Sequence, residues 1–251
     1  MKRILSLLCT LSCALGLHAQ QLTLMSYNIR HCQGMDEKID YGRTAGVIDH
    51  CHPDVVALQE VDSATRRSGG RYVLEELASR TAMKAIFAPA IHFDGGKYGV
   101  GILSREEPCA VSIYPLPGTE EPRVLLRADF RDYVVCCTHL SLTDADRWTS
   151  LRKIQEAVSD VKDKPVFVLG DLNEDSTPAF TKRLDKDFRI LSAAVSKTFP
   201  ADAPTETLDY VLQGRQFRKV KVQARGVAVE PVASDHRPIF LTCKWKKRNK
   251  E

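Results

Sequence analysis

The sequence predicts an α+β domain in which mixed β-sheets pack on each other with helices outside, and three observations carry that reading. Strand-like and helix-like segments are interleaved with hairpins rather than strictly alternating, which disfavours a barrel of parallel strands. Several strand candidates are continuous apolar runs, the pattern of strands covered on both faces. After the first residues the chain has no internal repeat, low-complexity linker or break in composition. Its 251 residues, 43% hydrophobic and 27% charged, therefore make one domain with a substantial core. Such a composition excludes a collagenous, disordered or multi-pass membrane protein.

The N-terminus is read separately. Met1-Lys2-Arg3 is a short basic start, residues 4–17 form an uncharged Leu-rich run, and Ala19 precedes Gln20-Gln21. This is signal-peptide anatomy, too short to span a bilayer comfortably. The expectation is a signal peptide at 1–19, a single domain at 20–251, and export to the periplasm or beyond the cell. Thr10-Leu11-Ser12-Cys13 loosely matches a lipobox, but the apolar run continues past the cysteine, so acylation of Cys13 is the less favoured reading. Cleavage would leave 34 Lys plus Arg against 32 Asp plus Glu, a net charge of +2.

Along the mature chain, residues 23–27 read as a first strand. A helix over 41–50 stops before Pro53. Residues 55–58 form a buried strand that ends in Gln59-Glu60, and a helix over 72–80 comes after it. Strand-like runs at 85–88, 101–104 and 111–114 come next. The runs 124–130 and 133–138, separated by Arg131-Asp132, should form an antiparallel hairpin. Trp148, Leu151, Ile154, Val158 and Val161 recur at three and four residues, which predicts a helix over 144–161 with Thr143 and Asp146 capping its start. Residues 165–169 form another buried strand, 179–184 a short helix, and 208–212, 219–223 and 238–245 the closing strands. Six cysteines lie beyond the signal segment. No Cys/His spacing suits structural zinc, and Cys136 and Cys137 should point to opposite faces of one strand.

Six strands end in a polar cluster: Tyr27-Asn28, Gln59-Glu60, Thr138-His139, Gly170-Asp171-Leu172-Asn173, Leu208-Asp209-Tyr210 and Ser234-Asp235-His236. Strands that are apolar until the last residue can hold a shared site at the rim of a rigid sheet. Singly, each has a structural explanation, such as a turn at Asn28, solvated carboxylates at Glu60 and Asp171, or a packed His139. Together they supply two histidines, four carboxylates and two asparagines. Oxygen donors select hard cations such as Mg²⁺, Mn²⁺ or Ca²⁺ over zinc, and this leaves the histidines free for proton transfer or anion stabilisation.

Ser26-Tyr27-Asn28-Ile29-Arg30, Leu58-Gln59-Glu60-Val61, the run from Gly99 to Arg105, Thr138-His139-Leu140, Gly170-Asp171-Leu172-Asn173, Leu208-Asp209-Tyr210 and Ser234-Asp235-His236-Arg237-Pro238 resemble, in order, the motifs of the endonuclease/exonuclease/phosphatase superfamily. The resemblance spans about residues 22–243. It implies a four-layer α/β/β/α sandwich and a metal-dependent phosphoester hydrolase. Carried over by position, Glu60 is the main metal ligand, with Asn28 and Asp235 in the same metal and water network. Asp171 orients or deprotonates the attacking water, and Asn173 helps fix that water or the phosphate. His236, polarised by Asp209, contacts a phosphate oxygen, and His139 stabilises or protonates the leaving oxygen. Whether Asp171 or the Asp209–His236 pair acts as base is left open. The implied cofactor is Mg²⁺ or Mn²⁺, with Ca²⁺ as the third candidate.

The substrate expectation is a small or lipid-derived phosphoester, with no protein partner. Arg123 and Tyr98 are the substrate-side candidates. Arg66, Arg67 and Arg71 read equally as solvated loop charge, and the basic tail after Lys244 as a fraying end. The segments 63–71 and 198–207 are the candidates for substrate selection. A secreted or periplasmic nuclease is the alternative, disfavoured because a charge of +2 and 7% aromatic residues supply little basic groove or base-stacking surface. A catalytically inactive binding module is the third reading.

Overall fold

The computed structural model describes residues 20–192, 197–217 and 220–246. The expected signal peptide and the end of the basic tail lie outside the described residues. Backbone pairing groups the strands into two six-stranded sheets. The first runs β11 (Lys221–Val227), β12 (Ile239–Trp245), β1 (Gln20–Asn28), β2 (Val55–Ser63), β4 (Gly96–Ser104) and β3 (Lys84–Phe93). The second runs β5 (Ala110–Leu116), β6 (Arg123–Asp129), β7 (Val134–His139), β8 (Val166–Asp171), β10 (Asp209–Gly214) and β9 (Phe188–Ile190). The β1–β2 and β7–β8 pairs are parallel and the other pairs antiparallel, so both sheets are mixed.

Leu22, Leu24, Val55 and Ala57 of one sheet meet Val135, Cys137, Phe167, Leu169 and Val211 of the other in the central core. The alternate residues Met25, Tyr27, Val56 and Leu58 point outward, under α1 (Tyr41–Cys51) and α2 (Val73–Thr81). Val134, Cys136, Val166 and Val168 likewise point outward, under α3 (Asp144–Ala157) and α4 (Pro178–Leu184). The result is the four-layer sandwich. Cys136 and Cys137 lie on opposite faces as expected, and the six cysteines among the described residues are free thiols.

The helices begin where local chemistry supplies acceptors for exposed N–H groups. Asp40 accepts from the Arg43 N–H at 2.9 Å, and Thr177, with Pro178 next in the chain, accepts from that of Phe180 at 3.2 Å.

Four local expectations are corrected. α3 ends at Ala157 because Val158 adopts φ −116°, yet Val158 and Val161 stay buried in the same layer; the apolar spacing tracks burial past the point where the helix stops. Thr143 occupies the N-cap position without a capping bond. Its hydroxyl turns to Glu120 at 3.4 Å, and Asp146 instead accepts from the Thr119 N–H at 2.6 Å and hydroxyl at 2.7 Å. The three-residue β9 is too short to display an alternation, and β11 runs to Val227, beyond the expected 219–223, as a mostly exposed edge strand.

β2 contains one irregularity that matters. Its register against β4 shifts between Leu58 and Val61, and Glu60 sits in the left-handed region at φ 58°. This is a bulge, the device by which a strand re-aims a side chain.

Candidate active site

The inward alternation that builds the core also delivers the site. Leu24, Ser26 and Asn28 share a face of β1, as do Val135, Cys137 and His139 on β7 and Phe167, Leu169 and Asp171 on β8. Each series ends in a polar residue, one step beyond Cys137 and Leu169 and, with buried Ser26 between, two beyond Leu24. The pairing register sets His139 opposite Asp171 and Asp171 opposite Asp209, and places Asn28 beside Gln59. The segment before β12 supplies Ser234, Asp235 and His236, and the β2 bulge supplies Glu60.

Asp171 is the hub. It is buried and accepts from Asn28 Nδ2 at 3.2 Å and from the Asn173 N–H at 2.9 Å. Its Oδ2 lies 3.6 Å from Nε2 of both His139 and His236. Asn28 Nδ2 also donates to Glu60 at 2.9 Å, and Asn173 Nδ2 to the Leu140 carbonyl at 2.8 Å. Asn173, at φ 51°, joins Glu60 among non-glycine residues in the left-handed region. Such conformations recur at functional sites, where the surroundings hold them in place. Ser234 Oγ stands 2.8 Å from the Asn28 carbonyl and 3.2 Å from Asp235, tying Asp235 into the cluster.

The two histidines sit on one carboxylate in different protonation states. Burial drives His139 down to about 4, with Arg123 adding to the effect, so its ring is neutral near pH 7. Burial would lower His236 too, but the carboxylates of Asp209 and Asp171 and a 3.0 Å hydrogen bond from Nδ1 to Asp209 hold it at about 10. The site thus keeps an imidazolium and a neutral imidazole around a single oxygen, the splitting from which acid and base roles are made.

The donor set fits a hard cation. Burial raises the Glu60 carboxyl, and the nearby charges of Asp235 and Asp171 oppose its ionisation further. A clustered carboxylate whose one hydrogen-bond donor is an amide is stabilised by a divalent ion, and the available ligand atoms are oxygens. Asp171, Asp209 and His236 also bring one ligand atom each within 4.8 Å of one another.

Glu60, His139, Asp171, Asn173 and His236 line a cleft of about 460 Å³ walled by Tyr98, Glu121, Arg123, Leu142, Phe199 and Glu206, whereas Asn28, Asp209 and Asp235 are not among its lining residues. Arg123 and Tyr98 thus stand where the sequence suggested. Arg67 does not line this cleft: it binds Asp62 through two 2.8 Å bonds and lies over the Phe93 ring at 4.5 Å. Arg66 pairs with Asp94 and Arg71 with Glu76. Glu121, Leu142, Phe199 and Glu206 are wall residues that sequence reasoning does not single out. Phe199 and Glu206 fall in the 198–207 segment, and Glu121 is two residues from Arg123; nothing in the sequence marks Leu142. A larger hollow of about 680 Å³ between α1, residues 228–230 and Phe240 of β12 is lined by none of the clustered residues.

Buried Arg147 braces the cleft. It donates to the Ser141 carbonyl at 3.3 Å, to that of Leu142 at 2.6 Å and to the Glu174 carboxylate, joining the loop after His139 to the loop after Asn173. Arg147→Ala should lower stability by about 2–3 kcal/mol and the melting temperature by about 5–10 °C. Thermal unfolding monitored by circular dichroism checks this; an unchanged midpoint would reject the brace.

Residues 25–236 match the model of the Endonuclease/Exonuclease/phosphatase family. An endonuclease/exonuclease/phosphatase from Bacteroides vulgatus has a similar structure, with a TM-score of 0.74 at 17% identity over 90% of this chain and 100% of that one. A mannosyl-6-phosphatase from Bacteroides thetaiotaomicron VPI-5482 gives 0.70 at 17% identity, over 88% and 99%. The human Nocturnin catalytic domain with bound sulfate gives 0.67 at 16%, over 90% and 95%. These likenesses show a shared fold. No curated protein sequence matches the chain.

Proposed function

The chain belongs to the endonuclease/exonuclease/phosphatase family, whose members hydrolyse phosphoester bonds, and from that premise we propose that it is an exported, divalent-metal-dependent phosphatase or phosphodiesterase acting on a small or lipid-derived phosphoester. The observation that carries the reading is that the Nε2 atoms of His139 and His236 both stand 3.6 Å from one oxygen of buried Asp171 in a cleft that Glu60, Glu121 and Glu206 also line. Displacement at phosphorus spreads negative charge over the equatorial oxygens, so fixed donors and a cation stabilise the transition state.

Glu60, Asn28 and Asp235 would hold the Mg²⁺ or Mn²⁺ ion, which supplies Lewis-acid polarisation of the phosphoryl oxygen. Asp171, fixed by Asn28 and Asn173, accepts a proton from the attacking water or orients it. His236, charged and backed by Asp209, donates to a phosphate oxygen. His139 presents a neutral N–H to the leaving oxygen, and the Asn173 amide, anchored on the Leu140 carbonyl, fixes the loop at the water. The mannosyl-6-phosphatase of similar fold supports a small substrate.

The test is hydrolysis of bis(p-nitrophenyl) phosphate and p-nitrophenyl phosphate with and without EDTA. Chelation should abolish turnover and Mg²⁺ restore it; turnover indifferent to EDTA rejects the metal, and none on either ester moves the chain to a binding module. Glu60→Gln should raise the Mg²⁺ activation midpoint by at least about tenfold, and a midpoint equal to that of the wild type would remove Glu60 from the ligand set.

A further inference from the structure

The walls of the cleft differ in charge from those a polyanion requires. Among the described residues lining it, Arg123 carries the one guanidinium and there is no lysine. Its two terminal nitrogens are already paired, to Glu120 at 3.1 Å and Glu121 at 3.2 Å. That wall is therefore net negative, and Glu206 adds a second, exposed carboxylate. A nucleic-acid strand, or a headgroup with several phosphates, would place further anions against these carboxylates, whereas such ligands are held by unpaired cations.

Arg123 is 8% exposed at its side chain and committed to its two Glu pairs. Glu121 and Glu206 offer acceptors to the cleft, which match hydroxyl donors. Tyr98 and Phe199 add two ring surfaces, an apolar wall for the carbon skeleton of a ligand that is amphipathic and uncharged.

Resting on the hydrolase reading above, we infer that the cleft selects a phosphate ester whose one anionic group is the scissile phosphate and whose leaving group is a neutral polyol, with Glu121 and Glu206 accepting from its hydroxyls and Tyr98 and Phe199 against its carbon skeleton.

The test compares kcat/KM of the purified protein with Mg²⁺ on hexose 6-phosphate, phenyl phosphate, inositol bisphosphate and a single-stranded oligonucleotide. The expected result is at least about tenfold preference for the hexose ester over phenyl phosphate, the worth of one hydrogen bond to a charged group, although phenol is the better leaving group. Glu206→Ala and Glu121→Gln should each pull that ratio toward one, mainly through KM on the hexose ester. Turnover of phenyl phosphate with no hexose preference, a ratio untouched by both substitutions, or a preference for the oligonucleotide or the bisphosphate overturns the inference while leaving the hydrolase reading in place. No metal-dependent turnover on any of the four overturns the hydrolase reading itself.

Discussion

Asp171→Asn is expected to lower kcat by at least about 10³-fold in a protein that still folds. The substitution preserves shape but changes three relationships at once. The Asn28 amide, which donates to Asp171 at 3.2 Å, faces a side chain with half its former acceptors. On the proposed mechanism the water loses the carboxylate that deprotonates or orients it, and His236 loses one of the three carboxylates that raise its pKa. A fold supported by three apolar layers does not depend on this rim residue, so circular dichroism and melting should change little. Single-turnover kinetics at saturating Mg²⁺ provide the check. Near-normal turnover by the folded variant would end the assignment of Asp171, and with it the place of the site.

Asp209→Asn should be nearly as damaging, by about 10³- to 10⁴-fold, the scale seen when the carboxylate behind a working histidine is neutralised. Asp209 donates nothing to substrate in this arrangement. It acts through His236, whose Nδ1 it holds at 3.0 Å, and so its loss has a signature beyond rate. In the chelated wild type His236 is raised from its ordinary value of 6.5 to about 10. A basic group raised on folding contributes stability that is complete below its unfolded value and disappears as pH climbs through the folded one. Melting temperature should therefore fall from pH 7 toward pH 10 in the chelated wild type and fall less in the variant. An NMR titration should find His236 shifted back toward 6.5. A variant with lost activity but an unmoved His236 titration would show that Asp209 acts by some other route.

The sequence displayed much of this molecule because the four layers and the rim site obey the same alternation. Residues such as Leu24 and Leu169 are readable as core, and Asn28 and Asp171 are then readable as the polar residues that close the same strand faces at the rim. The obscured parts arise from contacts that no spacing records. Arg67 looks like Arg123 in sequence, and only the fold sends the first to Asp62 and Phe93 and the second to the cleft. Thr143 and Asp146 have the spacing of a cap, but Glu120 and Thr119 compete successfully for them. The cleft walls at Leu142, Phe199 and Glu206 come from loops whose positions are set by tertiary partners, among them Arg147 for Leu142.

The bulge in β2 also sets which way the rest of the strand faces. Val55 and Ala57 face the central core and Val56 and Leu58 the helical layer, so strict alternation would turn Val61 inward, yet Val61 packs in the helical layer. One surplus residue has inverted the parity of the strand. Deleting it would restore a regular ladder from Val55 to Ser63, and would also withdraw the carboxylate from the site. Strand regularity and activity are alternatives at this point in the chain. The left-handed Glu60 is therefore the residue at which the strand gives up its ladder to place a carboxylate in the cleft.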